Sequence, residues 1–374
     1  MTDTGALSNF EGLTAAIPPI VHWSCALSLA PPQTSTLSAS RADGEASDFA
    51  AAVGALRALC ANDLEAVDAA LLESLSSPVA MIPQLAGHLI KAGGKRLRPL
   101  LTLASARACG VVDDRHIKLA AAVELIHGAT LLHDDVVDGS KLRRGLSTAN
   151  VLWGDKESVL VGDFVFSRAF ELMVDVGDLD VLRILSRAAG VIAEGEVLQL
   201  ATQKNLDATY ETYLSVVEAK TAALFAAAAR VGAVVARADA NTEARLGDFG
   251  RQLGVAFQLV DDALDYAGRE DALGKAVGDD FREGKMTLPV VLALRQADAE
   301  ARAFWRRTIA EGDQRPGDFA HAQRLIREAG AVDETLRVAA EYAEAASACL
   351  GGAAHNAFGG ALYDLAVRST RRAA

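Results

Sequence analysis

From residue 48 onward, apolar positions recur three and four apart, the spacing that lines one face of an α-helix. This pattern predicts helices over 48–75, 78–91, 113–138, 156–176, 179–202, 210–236 and 241–265. Another helix covers 286–294, and several more run from Phe304 to the end. Pro99 suits the first turn of a helix that follows a glycine loop. Phe166, Phe170 and Met173 make an apolar stripe at spacings of four and three. Residues 139–154 read as a polar loop, and 268–285 as a charged loop that is a candidate lid. No alternating run long enough for a useful strand occurs. The predicted fold is all-α, a single-domain large antiparallel helix bundle around a central cavity.

Residues 1–47 break this pattern. They are rich in Ser, Thr, Ala and Pro, with Pro18, Pro19, Pro31 and Pro32, and they keep no sustained period. A disordered extension ahead of one domain over 48–374 is expected. Asp3 and Glu11 come before any Arg, which argues against a targeting peptide. Over the whole 374 residues, 51% hydrophobic content supports a large core, and 5% aromatic content favours helices over sheets. A net charge of −12 argues against a nucleic-acid partner. Cys25, Cys60, Cys109 and Cys349 match neither a metal site nor a disulfide framework, so a reducing, cytoplasmic setting is expected. Cys109 and Cys349 sit in helical patterns and read as small buried hydrophobes. Arg230 interrupts the best apolar stretch, 221–236, so no transmembrane helix of about 18 uncharged residues is expected.

The chemistry-bearing residues gather at the ends of two apolar runs. Asp134 and Asp138 are four apart and share one helix face, with Asp135 beside them, just before a break at Gly139. Three carboxylates so close repel one another unless a cation lies between them. They are hard oxygen ligands, suited to Mg²⁺ shared with substrate phosphates. Arg143 and Arg144 follow, and arginine is the forked donor for phosphate oxygens. The plain alternative is a solvated acidic helix end. It is weakened by the apolar run 123–132, and more by a second copy of the spacing in Asp261, Asp262 and Asp265. Two such clusters facing across a cavity suit several divalent ions. The loop 93–99 crowds three cations beside two glycines, which favours an anion site over a solvated turn. Lys220, followed by Thr221, lies in an apolar helix and needs a partner there unless it snorkels to the surface.

Five motifs occur in order: Gly93-Gly-Lys-Arg-Leu-Arg-Pro99, His133-Asp-Asp-Val-Val-Asp138 with Leu142-Arg-Arg-Gly145, Lys220-Thr221, Phe257-Gln-Leu-Val-Asp-Asp-Ala-Leu-Asp265, and Glu283-Gly-Lys-Met-Thr-Leu-Pro289. Together they closely resemble the trans-isoprenyl diphosphate synthase (polyprenyl synthetase) family, from residue 48 to the end. The resemblance implies an isoprenoid-synthase bundle and a Mg²⁺-dependent prenyltransferase. Its substrates would be isopentenyl diphosphate and an allylic diphosphate, farnesyl or geranylgeranyl. It also implies a homodimer whose product passes to membrane enzymes. By position, Asp134, Asp138 and Asp261 would ligate Mg²⁺, with Asp135, Asp262 and Asp265 close by. Arg143 would hold the allylic diphosphate, with Lys220, Lys275 and Lys285 as further cations. Lys95, Arg98, His127 and Arg144 would hold isopentenyl diphosphate. Thr221 and Gln258 would offer neutral oxygens near the ionising carbon. Negative charge develops on the leaving diphosphate, so electrostatics supply the catalysis and no side-chain nucleophile is required.

In the family, bulky residues four or five positions before the first Asp of the first motif close the product tunnel early. Here those positions hold the small Thr130 and Ala129, with Met173 and Leu185 on the next two helices as the candidate floor. The resemblance then implies a long product, octaprenyl to decaprenyl, such as a quinone side chain. A medium-chain synthase or a subunit of a heteromeric synthase is the alternative. A terpene cyclase would not need the basic 93–99 loop, and a non-catalytic subunit would be expected to have lost carboxylates. Glu124 and His127 match the Glu-x-x-His of di-iron bundles, but no other histidine has a Glu three residues before it.

Overall fold

The chain is seen in a computed structural model that describes residues 42–91, 93–143, 145–267, 277–351 and 355–371, without the side chains of 42–47 and 89–91. Residues 1–41 of the expected extension and 268–276 of the candidate lid lie outside the described residues. Helix α1 (Ala42–Leu59) begins within the stretch read as extension, and α2 (Ala61–Ser74) follows. One helix was predicted over 48–75; the chain instead breaks at Cys60 because its halves pack on different partners. Asp63 of α2 is tied to Arg107 at 2.6 Å and to His116 at 3.3 Å. Next come α3 (Met81–Lys91), α4 (Leu97–Ala108) and the long α5 (Arg115–Val137). His116 belongs to α5, so α2 is drawn against α5, while α1 packs on the last helix.

Gly139 closes α5 with φ 62°, a left-handed turn that suits glycine. The Ser140 N–H donates to the Asp135 carbonyl and the Gly139 N–H to that of Val136, the paired bonds of a Schellman end. The segment expected to be only loop holds a two-strand ribbon, β1 (Leu142–Arg143) and β2 (Leu146–Ser147), paired antiparallel. It turns Arg143 back toward α5. Then follow α6 (Ala149–Trp153), α7 (Asp155–Val176) and α8 (Leu179–Thr202). Asp178 caps α8 by accepting from the N–H groups of Asp180 and Val181.

Helix α9 (Tyr210–Val217) runs through a π-helical turn, Glu218–Ala222, into α10 (Ala223–Val235). Nearly every residue of α10 is buried, as expected of a helix that is apolar all round. It packs against α4, α5, α8 and α11 (Ala240–Ala267). Small residues bring these backbones close. A Cβ on Gly254 of α11 would lie 2.7 Å from the Ala222 Cα, and one on Gly195 of α8 would lie 2.7 Å from the Ala219 Cβ. The π turn is therefore clasped between α8 and α11. After it come α12 (Asp279–Glu283), α13 (Leu288–Gln296), α14 (Ala299–Trp305), α15 (Asp318–Glu328), α16 (Ala331–Leu350) and α17 (Ala357–Arg368). Among the described residues, no helix is long and apolar enough to cross a membrane.

Candidate active site

The end of α11, helix α9, the π turn, the C-terminal end of α8 and the α12 segment with the residues after it line one cleft, and the end of α5 adjoins it through Lys220 and Lys285. The cleft holds about 690 Å³ of empty space, part of it open to solvent, and Lys220, Thr221, Gln258, Asp262, Asp280 and Lys285 are among its lining residues. Both acidic triplets keep the first carboxylate partly exposed and bury the second, but they differ at the third. Asp135, Asp262 and Asp265 are buried, at 2%, 4% and 0% exposure, while Asp134, Asp138 and Asp261 stay partly exposed. The three named as metal ligands are thus the three that keep solvent access.

At the end of α5 each carboxylate meets a cation. Arg143 donates from Nε at 2.9 Å and from Nη2 at 2.7 Å to one oxygen of Asp135. Lys285 lies 3.0 Å from Asp138 and also pairs with Glu283. Lys220 lies 2.7 Å from Glu196 and 3.8 Å from Asp134. Burial pushes the Asp134 carboxyl up to about 7; Lys220 opposes this, while Glu196 and Asp138 add to it. For Lys285, burial disfavours the charge, but Asp280, Glu283 and Asp138 outweigh it and hold the ammonium well above its ordinary value.

At the end of α11 the two described partners of Asp262 are neutral donors. The Tyr213 hydroxyl donates to Asp262 at 2.6 Å, and the Gln258 amide donates to its other oxygen at 2.7 Å. Thr221 donates to the Gln258 carbonyl at 2.8 Å. Burial, together with Asp280, pushes Asp262 up to about 8 against the pull of its two donors. Asp265 accepts from the Asp280 N–H at 3.1 Å, which ties α11 to α12.

The basic loop divides its cations. Lys95 is exposed, with Nζ 5.1 Å from the centre of the Phe49 ring and 5.9 Å from that of Phe257. Arg98 lies over Phe225 at 4.7 Å and donates to His127 Nε2 at 3.1 Å, so His127 accepts there and carries its proton on Nδ1. Arg96 turns away to Glu124 at 2.7 Å, which occupies the glutamate of the Glu-x-x-His match. Arg144 and Lys275 lie outside the described residues. Ala129, Met173 and Leu185 are buried in the main core, and Thr130 bonds back to the His127 carbonyl at 2.8 Å; none of the four lines the cleft. Cys60 is buried, whereas Cys109 and Cys349 are half-buried rather than buried as expected, and all three are free thiols.

Sequence reasoning missed Glu196, Tyr213 and the particular roles of Asp280 and Glu283. The charge density of 268–285 was a signal for the last two. Nothing in the local pattern marks Glu196 or Tyr213. Among the described residues, no three Asp, Glu, His or Cys side chains converge closely enough to hold a metal by themselves. Partly exposed carboxylates on two facing helix ends fit a hard divalent cation that takes its remaining oxygens from a phosphate and water.

A sequence model of the Polyprenyl synthetase family matches residues 79–326. The octaprenyl diphosphate synthase of Escherichia coli (strain K12) is 46% identical over 296 residues, which cover 78% of this chain and 90% of that protein. The crystal structure of a polyprenyl synthase from Caulobacter crescentus CB15, complexed with calcium and isoprenyl diphosphate, superposes with a TM-score of 0.84 at 52% identity, covering 86% of this chain and 98% of that one. A decaprenyl diphosphate synthase from Rhodobacter capsulatus superposes with a TM-score of 0.83 at 48% identity, covering 86% and 99%.

Proposed function

This chain belongs to the polyprenyl synthetase family, and we infer that it condenses isopentenyl diphosphate onto an allylic diphosphate to build a long-chain all-trans polyprenyl diphosphate. The observation that carries the reading is the set of ion pairs at the end of α5. Lys220, Arg143 and Lys285 each rest on an acidic-motif carboxylate, beside a cleft that Asp262 of the second motif also lines.

Asp134, Asp138 and Asp261 would hold Mg²⁺, which when bound supplies charge neutralisation of the diphosphate oxygens. Lys220, Arg143 and Lys285 exchange a carboxylate for those oxygens and orient the allylic diphosphate. Its C1–O bond breaks, and the diphosphate leaves with the electron pair. The lone pairs of Thr221 and Gln258 lie on the side of the cleft where the allylic cation forms. The alkene of isopentenyl diphosphate, held by Lys95, Arg98 and His127, attacks that carbon, and the resulting cation loses a proton to the released diphosphate, which restores a double bond. Arg144 and Lys275 are assigned to the same diphosphates by the family motif.

The product extends along α5 past Ala129 and Thr130 toward Met173 and Leu185, which gives octaprenyl to decaprenyl length, suited to a quinone side chain used by membrane enzymes. Exposed Val151 and Leu152 of α6 and Val159 and Leu160 of α7 form an apolar surface that supports a homodimer. The free cysteines suit a cytoplasmic setting.

The test is Mg²⁺-dependent incorporation of radiolabelled isopentenyl diphosphate by the purified chain with a farnesyl or geranylgeranyl primer, followed by chromatography of the dephosphorylated products. Long polyprenols are expected. No incorporation by this chain alone would turn the reading toward a subunit of a heteromeric synthase.

A further inference from the structure

Tyr213 lies on α9, the helix that leads into the π turn, and is buried at the edge of the cleft. A phenol has one proton to give, and Tyr213 gives it to Asp262 at 2.6 Å. The other oxygen of Asp262 accepts from the Gln258 amide nitrogen at 2.7 Å. Both Asp262 oxygens are thus engaged by donors from within the protein, and these two bonds favour the ionised carboxylate against the burial that disfavours it.

Gln258 has a donor at one end of its amide and an acceptor at the other. With its nitrogen on Asp262, its carbonyl must face Thr221, which donates to it at 2.8 Å. Thr221 spends its only proton there, so it presents lone pairs to the cleft. Turning the Gln258 amide over would put its N–H₂ toward Thr221 and free the threonine proton to point into the cleft. The sign of the dipole at the cleft wall would then reverse.

We propose that Tyr213 is a positioning residue for the condensation, locking Asp262 and through it Gln258, so that Thr221 faces the substrate as an acceptor. The chain Tyr213–Asp262–Gln258–Thr221 joins α9, α11 and the π turn. It explains why the middle carboxylate of the second motif is buried among neutral donors instead of facing the partly exposed carboxylates. The proposal rests on the reading that Thr221 and Gln258 face the ionising carbon.

A double-mutant cycle tests it, because residues that act through one chain are not additive. Tyr213→Phe removes only the donor. It is expected to lower kcat roughly tenfold, the scale of losing a group that orients a site residue, with both KM values changed less than about twofold. In a Thr221→Ala background the same substitution should have almost no further effect. If Tyr213→Phe lowers kcat by the same factor in both backgrounds, Tyr213 is merely structural and the proposal is overturned while the reading of Thr221 stands. If Thr221→Ala alone leaves kcat unchanged, the reading fails and takes the proposal with it. If Tyr213→Phe does not fold, Asp262→Asn probes the same chain. Its amide opposes a donor to Tyr213 or Gln258, so its kcat loss must also vanish with Thr221→Ala.

Discussion

At the end of α5, Asp134, Asp135 and Asp138 meet Lys220, Arg143 and Lys285; at the end of α11, Asp262 and Asp265 meet a phenol, an amide and a backbone N–H. The spacing of the two triplets in the sequence is identical, yet among the described residues the partners of their buried middle carboxylates, Asp135 and Asp262, differ in kind. Lys220 also has Glu196 and Lys285 also has Glu283, so either lysine can leave its aspartate without stranding a buried charge, whereas Arg143 holds the buried Asp135 from two nitrogens. Buried hydrogen bonds to neutral groups are costly to leave unmade. The first cluster therefore holds two lysines whose ion pairs can rearrange within the protein. The second is built mainly as scaffold and leaves Asp261 as its partly exposed member.

The largest expected effect falls on the exposed carboxylates of either cluster. Asp134→Ala and Asp261→Ala should each lower kcat by roughly 10²–10³-fold, the scale of a lost contact to developing negative charge. Their helical circular dichroism should stay unchanged. Near-wild-type turnover in either variant at saturating Mg²⁺ would break the claim that the two clusters act together.

A second contrast lies four and five residues before each triplet. Helix α11 carries the half-buried Phe257 and buried Ala256 there, whereas α5 carries Thr130 and buried Ala129. Giving α5 an aromatic with Ala129→Tyr should shorten the product to farnesyl or geranylgeranyl length while elongation of short primers survives. Chromatography decides this, and an active variant with an unchanged long product would show that the chain does not pass Ala129.

Stability should separate the clusters in the opposite sense. Asp262→Ala strands the Tyr213 hydroxyl and Gln258 amide and should cost about 1–3 kcal/mol in urea unfolding. Asp138→Ala leaves Lys285 paired with Glu283, so no buried charge is stranded, and it should cost less than Asp262→Ala. Equal losses would dissolve the distinction between exchangeable and scaffold carboxylates.

The smallest effect concerns pH in metal-free protein. Burial holds Asp134 up to about 7, above its ordinary 3.8. The folded state then binds more protons than the unfolded state between these values, so stability falls as pH rises through that window. With chelator present, the melting temperature should fall from pH 5 to pH 7, and Asp134→Asn should fall less. An equal slope in the variant would place the titration elsewhere.

Much of the molecule is legible in its sequence because helix period, glycine stops and motif spacing are local. The span of α8 was readable to its ends from apolar spacing, and Gly139 marks the close of α5 because only its left-handed φ is needed there. The aspartate spacing placed Asp134 and Asp138 on one face for the same local reason. The break at Cys60 was not legible. The 48–75 pattern is helical throughout, and the break goes with tertiary partners: α1 packs on the last helix while Asp63 of α2 bonds Arg107 and His116.

What tertiary structure alone decided is which aspartate of each triplet faces outward and what each one touches. Lys220 finds Glu196 across 24 residues, Tyr213 finds Asp262 across 49, and Lys285 finds Asp138 across 147. No periodicity spans those separations. The first depends on how closely α8 meets the π turn, where Gly195 leaves no room for a larger side chain; the others depend on how α9 meets α11 and how the segment after α12 meets α5. The sequence by itself determined the helices and the spacing of the acidic motifs; the packing of those helices chose which carboxylates stay partly exposed and which are buried.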